Sequence, residues 1–316
     1  MVSLQYLWRR TGALLLTLLI ACTITFTVFH IIPGDPALLM LGTEADPEVL
    51  TSLRQELGLD LPLHVQYLDW LKHVLTGDLG VSLRLERPVA DLIGERLSVT
   101  LGLAVLAMVL TLVISIPAGA YAAAHRGRAV DYLIVFASQI GMAVPHFWLG
   151  ILLILVFSMR WRLLPPGGFV QWSTDPWQAF LSLLLPASAL AAHRIASLTR
   201  ITRAAMLDVL SQDYIRAGRS RGISQSVVIY KHALKNSLIP IVTVAGMQFA
   251  GLLAGSIVAE EVFALPGLGR LLLQAIGYRD LPLVQGIALF IAAVVVFINF
   301  ATDILYLVLD PRVRYE

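Results

Sequence analysis

Charge is what this chain has least of. Asp, Glu, Lys and Arg make up 14% of its 316 residues, hydrophobic residues 58%, and the mean hydropathy is +0.79. A water-soluble globule carries about a quarter charged residues, so a soluble domain is excluded. One cysteine, Cys22, lies inside an apolar run. It rules out an internal disulfide and any cysteine-based metal cluster, and reads as a small packing residue. No Gly-x-x-x-x-Gly-Lys-Ser/Thr loop is present to cradle nucleotide phosphates. His-Glu-x-x-His and Gly-x-Ser-x-Gly are missing too, and the seven histidines are scattered without metal-ligand spacing. The chain therefore offers nothing for hydrolysis, no catalytic residue and no metal site of its own. Linkers, low-complexity tracts and clear repeats are also lacking, so residues 1–316 read as one domain.

What is present in abundance is apolar runs of membrane-spanning length. They fall at about 12–32, 98–124, 131–158, 177–199, 237–262 and 283–309, each near the roughly 20 residues that a bilayer core demands. The first follows Arg9 and Arg10 but lacks a small-x-small cleavage site, so it reads as an uncleaved first span. Pro117, Pro145 and Pro186 lie inside spans and are expected to kink them. Pro33-Gly34-Asp35-Pro36 ends the first span, and residues 37–96 form the one sizeable extramembrane stretch. Three small helices are expected there. Asp46 and Pro47 open the first, with Leu50, Leu53 and Leu57 as its apolar face and Gly58 at its end. The second runs from Pro62 to Gly77 with Tyr67, Leu71 and Val74 on one face, and Pro88 opens the third.

Of the 23 Lys and Arg residues, 14 fall in the N-terminus, the 125–130 loop, the 194–236 region and the C-terminal tail. The other nine are interspersed with acids such as Glu44, Glu48, Glu56, Asp69, Asp78 and Glu86. The positive-inside bias therefore places both termini in the cytoplasm.

The densest basic stretch, Asp213 to Pro240, carries Arg216, Arg219, Arg221, Lys231, His232 and Lys235 between two apolar spans. Local signals predict a helix over Thr202–Ala217, a reversal at Gly218–Gly222, and a second helix capped by Ser224 with Ile223 and Val228 as a staple. On that helix Val227, Tyr230 and Leu234 share one face while Lys231 and Lys235 share another, giving a short amphipathic helix lying parallel to the bilayer. By chemistry alone this segment is equally well a positive-inside loop or a helix resting on anionic lipid.

The same residues resemble the Glu-Ala-Ala signature of ABC-importer permeases (Glu-Ala-Ala, three residues, Gly, nine residues, Ile-x-Leu-Pro). With Gly222 as register, Arg216, Ala217 and Gly218 occupy the opening triplet, and His232, Leu234 and Lys235 the closing positions. The departures match the peptide/nickel branch, in which Asp-Tyr-x-Arg-x-x-Arg-x-x-Gly precedes His-x-Leu-x-Asn. Asp213, Tyr214, Arg216, Arg219, Gly222, His232, Leu234 and Asn236 supply that form. Further resemblance lies in Gly77-Asp78-Leu79-Gly80-Val81-Ser82, Glu261-Val262-Phe263, Pro266-Gly267-Leu268-Gly269-Arg270, Arg279-Asp280-Leu281-Pro282 and Asp310-Pro311-Arg312-Val313-Arg314-Tyr315.

The resemblance implies an all-α fold of six transmembrane helices, N-in and C-in, of the type I ABC importer permease, in a bacterial inner membrane. It implies a non-enzymatic subunit whose segment 200–236 couples to an ATPase, with Arg216, Ala217, Gly218, Arg219, Gly222, Tyr230, His232, Leu234 and Asn236 as the coupling residues. The implied partners are a second homologous permease, two ATP-binding subunits holding ATP and Mg, an extracytoplasmic substrate-binding protein and the bilayer, with no nucleic acid. Small peptides such as di- and oligopeptides or glutathione are the implied cargo, with nickel or a metal chelate as the alternative. The short connection from Arg160 to Pro176 resembles the nickel and glutathione importers more than the dipeptide permeases.

Polar residues inside the spans are the candidates for a path. Gln248 follows the coupling segment and offers an uncharged amide to a passing peptide group. Asn299 and Asp303 share a helical face, on a substrate or proton path or in interhelical hydrogen bonding near the cytoplasmic interface. Glu260 and Glu261 fall near the external mouth, as a gate, a contact for the binding protein or simply water-facing acids. A proton-coupled carrier working through Asp303 is the rival from another class.

Overall fold

A computed structural model describes residues 4–31, 38, 46–56 and 58–309. Pro33–Pro36, Glu44, Leu57 and the 310–315 motif lie outside the described residues, as do the side chains of Leu53 and Arg219. Among the described residues there is no strand, only one β-bridge between Val81 and Pro88.

The order is α1 (Leu4–Ile31), α2 (Pro47–Glu56), α3 (Leu63–Leu75), α4 (Val89–Ala124), α5 (Ala129–Ala143) and α6 (His146–Leu153), which runs on as a π-helical stretch, Ile154–Arg160. Then come α7 (Pro176–Leu210), α8 (Asp213–Ser220), a second π-helical stretch (Val227–Ala233) leading into α9 (Leu234–Gly255), α10 (Ile257–Val262), α11 (Leu268–Gly277) and α12 (Leu281–Leu309). Five helices are long and apolar enough to cross a bilayer, and α5 with α6 makes a sixth, broken passage bent by 100°. That region was expected to be one kinked span from 131 to 158. It breaks because Val144, ahead of a proline, is extended (ψ 123), and Pro145 has no N–H to continue the ladder.

The outer helices begin as their capping chemistry predicts. Asp46 Oδ1 accepts from the Glu48 N–H at 3.0 Å, and α3 starts after Pro62. Tyr67 turns toward α1, with its ring 5.2 Å from Phe26 and its hydroxyl 2.9 Å from Thr23 Oγ1. The third outer helix does not exist separately. Pro88 precedes the first turn of α4, whose 36 residues extend about 54 Å, well beyond a hydrocarbon core of roughly 30 Å. Thirty-five residues of α7 do the same, starting at Asp175, whose Oδ1 accepts from Trp177 N and Gln178 N at 2.9 and 3.1 Å.

These two helices form the spine. Ala104, Ala107, Ala187, Ala189 and Ala191 are buried along their contact with Leu103, Leu183 and Leu198. At Gly119 the backbones come so close that a β-carbon would stand 2.6 Å from Thr202 Cβ and 2.7 Å from the Thr199 carbonyl. The overhanging outer end of α4 joins α11 and α12 in a second cluster around Val89, Leu92, Leu271 and Ile287. A third cluster at the opposite end gathers Ala120, Ala123, Met206, Val209, Ile215, Val228, Ile229 and Ala233. Arg10 pairs with Asp303 at 3.0 Å, bringing the start of α1 and the end of α12 to one side. Large apolar side chains on α1, including Leu15, Leu16, Ile20 and Ile24, point outward, as a lipid-facing surface requires.

Gly119→Ala is expected to lower stability by about 1–3 kcal/mol through overpacking. Gly94→Ala, at a position with no atom within 4 Å of the new β-carbon, should be neutral or slightly stabilising. Thermal unfolding of the detergent-solubilised variants checks the contrast.

Candidate functional site

At the cytoplasmic end, α7 stops at Leu210 and α8 follows after two residues. Ile215 is 1% exposed and anchors α8 in the third cluster, while Tyr214, Arg216, Ala217 and Ser220 remain on the surface. Arg216 holds the turn before it, 3.3 Å from Asp213 Oδ1 and donating to the Ser211 carbonyl at 3.1 Å. Gly222 reverses the chain at φ +76, a conformation that side chains disfavour. Asn236 Nδ2 then donates to the Tyr214 hydroxyl at 2.7 Å, tying α8 to the returning helix across 22 residues. The structure thus brings Tyr214, Arg216, Gly222 and Asn236 into one hairpin. His232 and Lys231 are exposed and Leu234 is half-buried.

Two expectations about this hairpin are corrected. The free-standing helix is α8, not a helix from Ser224 to Lys235. After Gly222 the chain winds through the π-helical stretch straight into α9, and Pro240 lies within that helix instead of marking a new start. The face is also different. Val228, Ile229 and Ala233 are buried, while Val227 and Tyr230 are 39% and 54% exposed. The wider π turn shifts the register, so counting at 3.6 residues per turn selects the wrong side chains.

At the outer end Glu260 does not face water. It is 0% exposed, with Oε1 accepting from Thr100 Oγ1 (2.8 Å) and Ser256 Oγ (3.0 Å), and Oε2 from the Arg270 N–H (3.1 Å). Burial pushes its carboxyl above the ordinary range, and the Thr100 hydroxyl and the Arg270 and Gly269 backbone pull it back down. This staple closes α10 against α11 and α4, so Glu260 as a surface contact is corrected. Glu261 does lie at the surface, 3.5 Å from Arg270 Nε.

Asp280 makes a second staple. It accepts from the Ser82 hydroxyl, from the Leu83 and Arg84 N–H groups (3.2 and 3.3 Å), and from Leu283 N at the start of α12 (3.3 Å). Arg84 lies over the Tyr278 ring at 3.5 Å.

The three path candidates separate. Gln248 is 7% exposed, its Nε2 is 3.5 Å from Ser197 Oγ on α7, and its Oε1 has no partner. Asn299 and Asp303 instead line a groove of about 170 Å³ against α1, with Arg10, Leu14 and Thr17. Asp303 pairs with Arg10 of α1 at 3.0 Å, a contact between the first and last helices.

Comparison with known proteins places this arrangement. The family described as "Binding-protein-dependent transport system inner membrane component" matches residues 115–315, and its N-terminal companion matches residues 3–104. The chain belongs to that family. A peptide transport system permease protein of Brucella abortus is 45% identical over 308 residues, 98% of each chain. The glutathione transport system permease protein of Salmonella typhimurium is 41% identical over 313 residues, covering 99% of this chain and all of the other. A solved structure of the MetNI methionine ABC transporter, in an inward-facing conformation, shares the fold with a TM-score of 0.56 at 19% identity, over 69% of this chain and 96% of that one.

This binding-protein-dependent permease is therefore the multi-pass inner-membrane subunit of an ABC importer, working with ATPase and substrate-binding partners and leaving ATP hydrolysis to the former. Several of the permease's structural residues went unread in the sequence. Asp131, 2% exposed, accepts from Arg203 Nε and Nη2 at 2.6 and 2.8 Å and from the Gly127 N–H, locking the 125–130 loop to α7. Arg203 had signified only positive charge inside. Ser82 and Asp280 lay in two turn motifs of the permease, and nothing in one strand of text says that they meet. Arg194, grouped with the cytoplasmic 194–236 region by sequence, lies well inside α7.

Glu260→Ala should leave the Thr100, Ser256 and Arg270 donors unsatisfied, costing about 1–3 kcal/mol for each buried group. Glu260→Gln keeps one acceptor oxygen and should cost less. Thermal unfolding together with protease cleavage across residues 264–267 reads the difference.

Proposed function

We propose that this permease moves small peptides, of the di-/oligopeptide or glutathione class, into the cytoplasm. The observation that carries this reading is the hairpin of α8 and the returning helix, exposed on its outer face and rigidly tied to two spanning helices. The full-length relatives named for peptide and glutathione transport support the cargo. A second homologous permease completes the pathway, and two ATP-binding subunits, with ATP and Mg, sit beneath the pair. Arg216, Ala217, Gly218, Arg219, Tyr230, His232 and Leu234 lie on or beside the surface that one ATPase grips. Because Ile215 and the Tyr214–Asn236 bond fix α8 to α7 and α9, displacement of α8 tilts both helices. The pathway then alternates between outward- and inward-facing states. A helix merely resting on lipid would transmit no such force.

Gly222→Pro, incompatible with φ +76, and Ile215→Asp, which puts a carboxylate in the inner cluster, should both abolish association with the ATPase while membrane insertion persists. A pull-down from solubilised membranes measures this; retained association would displace the docking surface from α8. Reconstituted vesicles test the whole reading. Peptide uptake should require ATP and the binding protein, and uptake driven by a proton gradient alone would refute it.

A further inference from the structure

Arg194 is an arginine in the wrong place for a structural residue. It lies nine residues before Arg203 on α7, about 13 Å of helix deeper into the membrane than the Asp131–Arg203 pair. An ionised group at that depth costs several kcal/mol unless it is paired or wet. Among the described residues no carboxylate pairs with it: Asp131, Glu260, Asp280 and Asp303 are each committed elsewhere. Its guanidinium comes within 3.0 Å of where a β-carbon on Gly251 of α9 would stand, so a glycine makes room for it.

The surroundings are polar and unfinished. Gln248 precedes Gly251 by one turn of α9, and Ser197 follows Arg194 by one turn of α7, so the Gln248–Ser197 contact lies beside the guanidinium. The buried Gln248 Oε1 has no partner, and neither has His146 Nε2. His146 opens α6 immediately after the 100° break, within electrostatic reach of the His193 and Arg194 side chains. The break itself is held against this part of α7, since Gly141 before it faces Ala196 and Gly150 after it faces Ala189. A lone cation, two unpartnered buried polar atoms and a broken helix thus converge from three elements midway across the membrane.

We propose that Arg194, flanked by His146, His193 and Gln248, is a mid-membrane station for the free carboxylate of the cargo. The guanidinium donates two parallel N–H bonds to the carboxylate, and Gln248 Oε1 takes a peptide N–H. This deepens the importer reading and rests on it. A passing carboxylate compensates the arginine, while the C-terminal amide of the same peptide, which keeps only its ammonium charge, leaves it unpaired.

The test uses the complete transporter in vesicles, with a short peptide and its C-terminal amide each supplied at a concentration that saturates the binding protein. The wild type should carry the free acid in preference to the amide. Arg194→Gln should lower uptake of the acid about tenfold, the scale of one charge-assisted contact, and leave the amide nearly unchanged. Arg194→Lys should restore part of the preference. Equal loss for both cargoes, with assembly intact, would overturn the station and assign Arg194 to packing or to a carboxylate of the second permease. Unchanged preference in Arg194→Gln would overturn it as well. Absence of ATP-dependent peptide uptake by the wild type would instead overturn the importer reading on which the station rests.

Discussion

The rest of the structure depends on the close packing of α4 against α7. In hydrocarbon, burial of apolar surface does not drive helices together, so association rests on van der Waals fit and on small residues that let backbones approach. The alanine-lined contact and the Gly119–Thr202 crossing supply that fit. Both helices also outrun the bilayer core. The outer overhang of α4 carries the cluster with α11 and α12, and the inner overhang of both carries the one that seats Ile215. One rigid pair therefore connects the outer cluster to the inner one.

The polar interactions follow the same logic of completing what the membrane leaves open. Glu260 and Asp280 each gather donors from distant segments into the outer cap, and Asp131 does so at the inner loop. In each case one carboxylate satisfies several hydroxyl, guanidinium or backbone N–H groups that would otherwise be stranded near lipid. The staples hold the ends of the helices, while among the described residues the middle of the bundle is free of ion pairs. Arg194 is notable against that background, because its charge is left open.

Much of this was legible beforehand. The six apolar passages, the common side of the start of α1 and the end of α12, the helix starts at Asp46 and Pro62 and the membership in a transport family could all be read from run length, charge bias and motif spacing. The Tyr214 and Asn236 positions, taken only as parts of a motif, turn out to bond each other. What failed did so for specific physical reasons. Counting at 3.6 residues per turn cannot anticipate a π-helical stretch, so the buried face at Val228–Ala233 was assigned to Val227 and Tyr230. Hydropathy sees an acid near a membrane mouth and cannot see the Thr100 hydroxyl that draws Glu260 inward. Counting charge by region groups Arg194 with the cytoplasmic 194–236 stretch, although it lies within the 177–199 span and its helix runs on for another 16 residues.

The break at Val144 and Pro145 has an electrical consequence. A helix severed there leaves carbonyl groups of the last turn of α5 without amide donors, and lipid tails have none to offer. Donors from neighbouring polar side chains or from water are therefore required partway through the bilayer. The break thus sets carbonyl dipoles inside the bilayer, where an unbroken helix would pair every one of them internally.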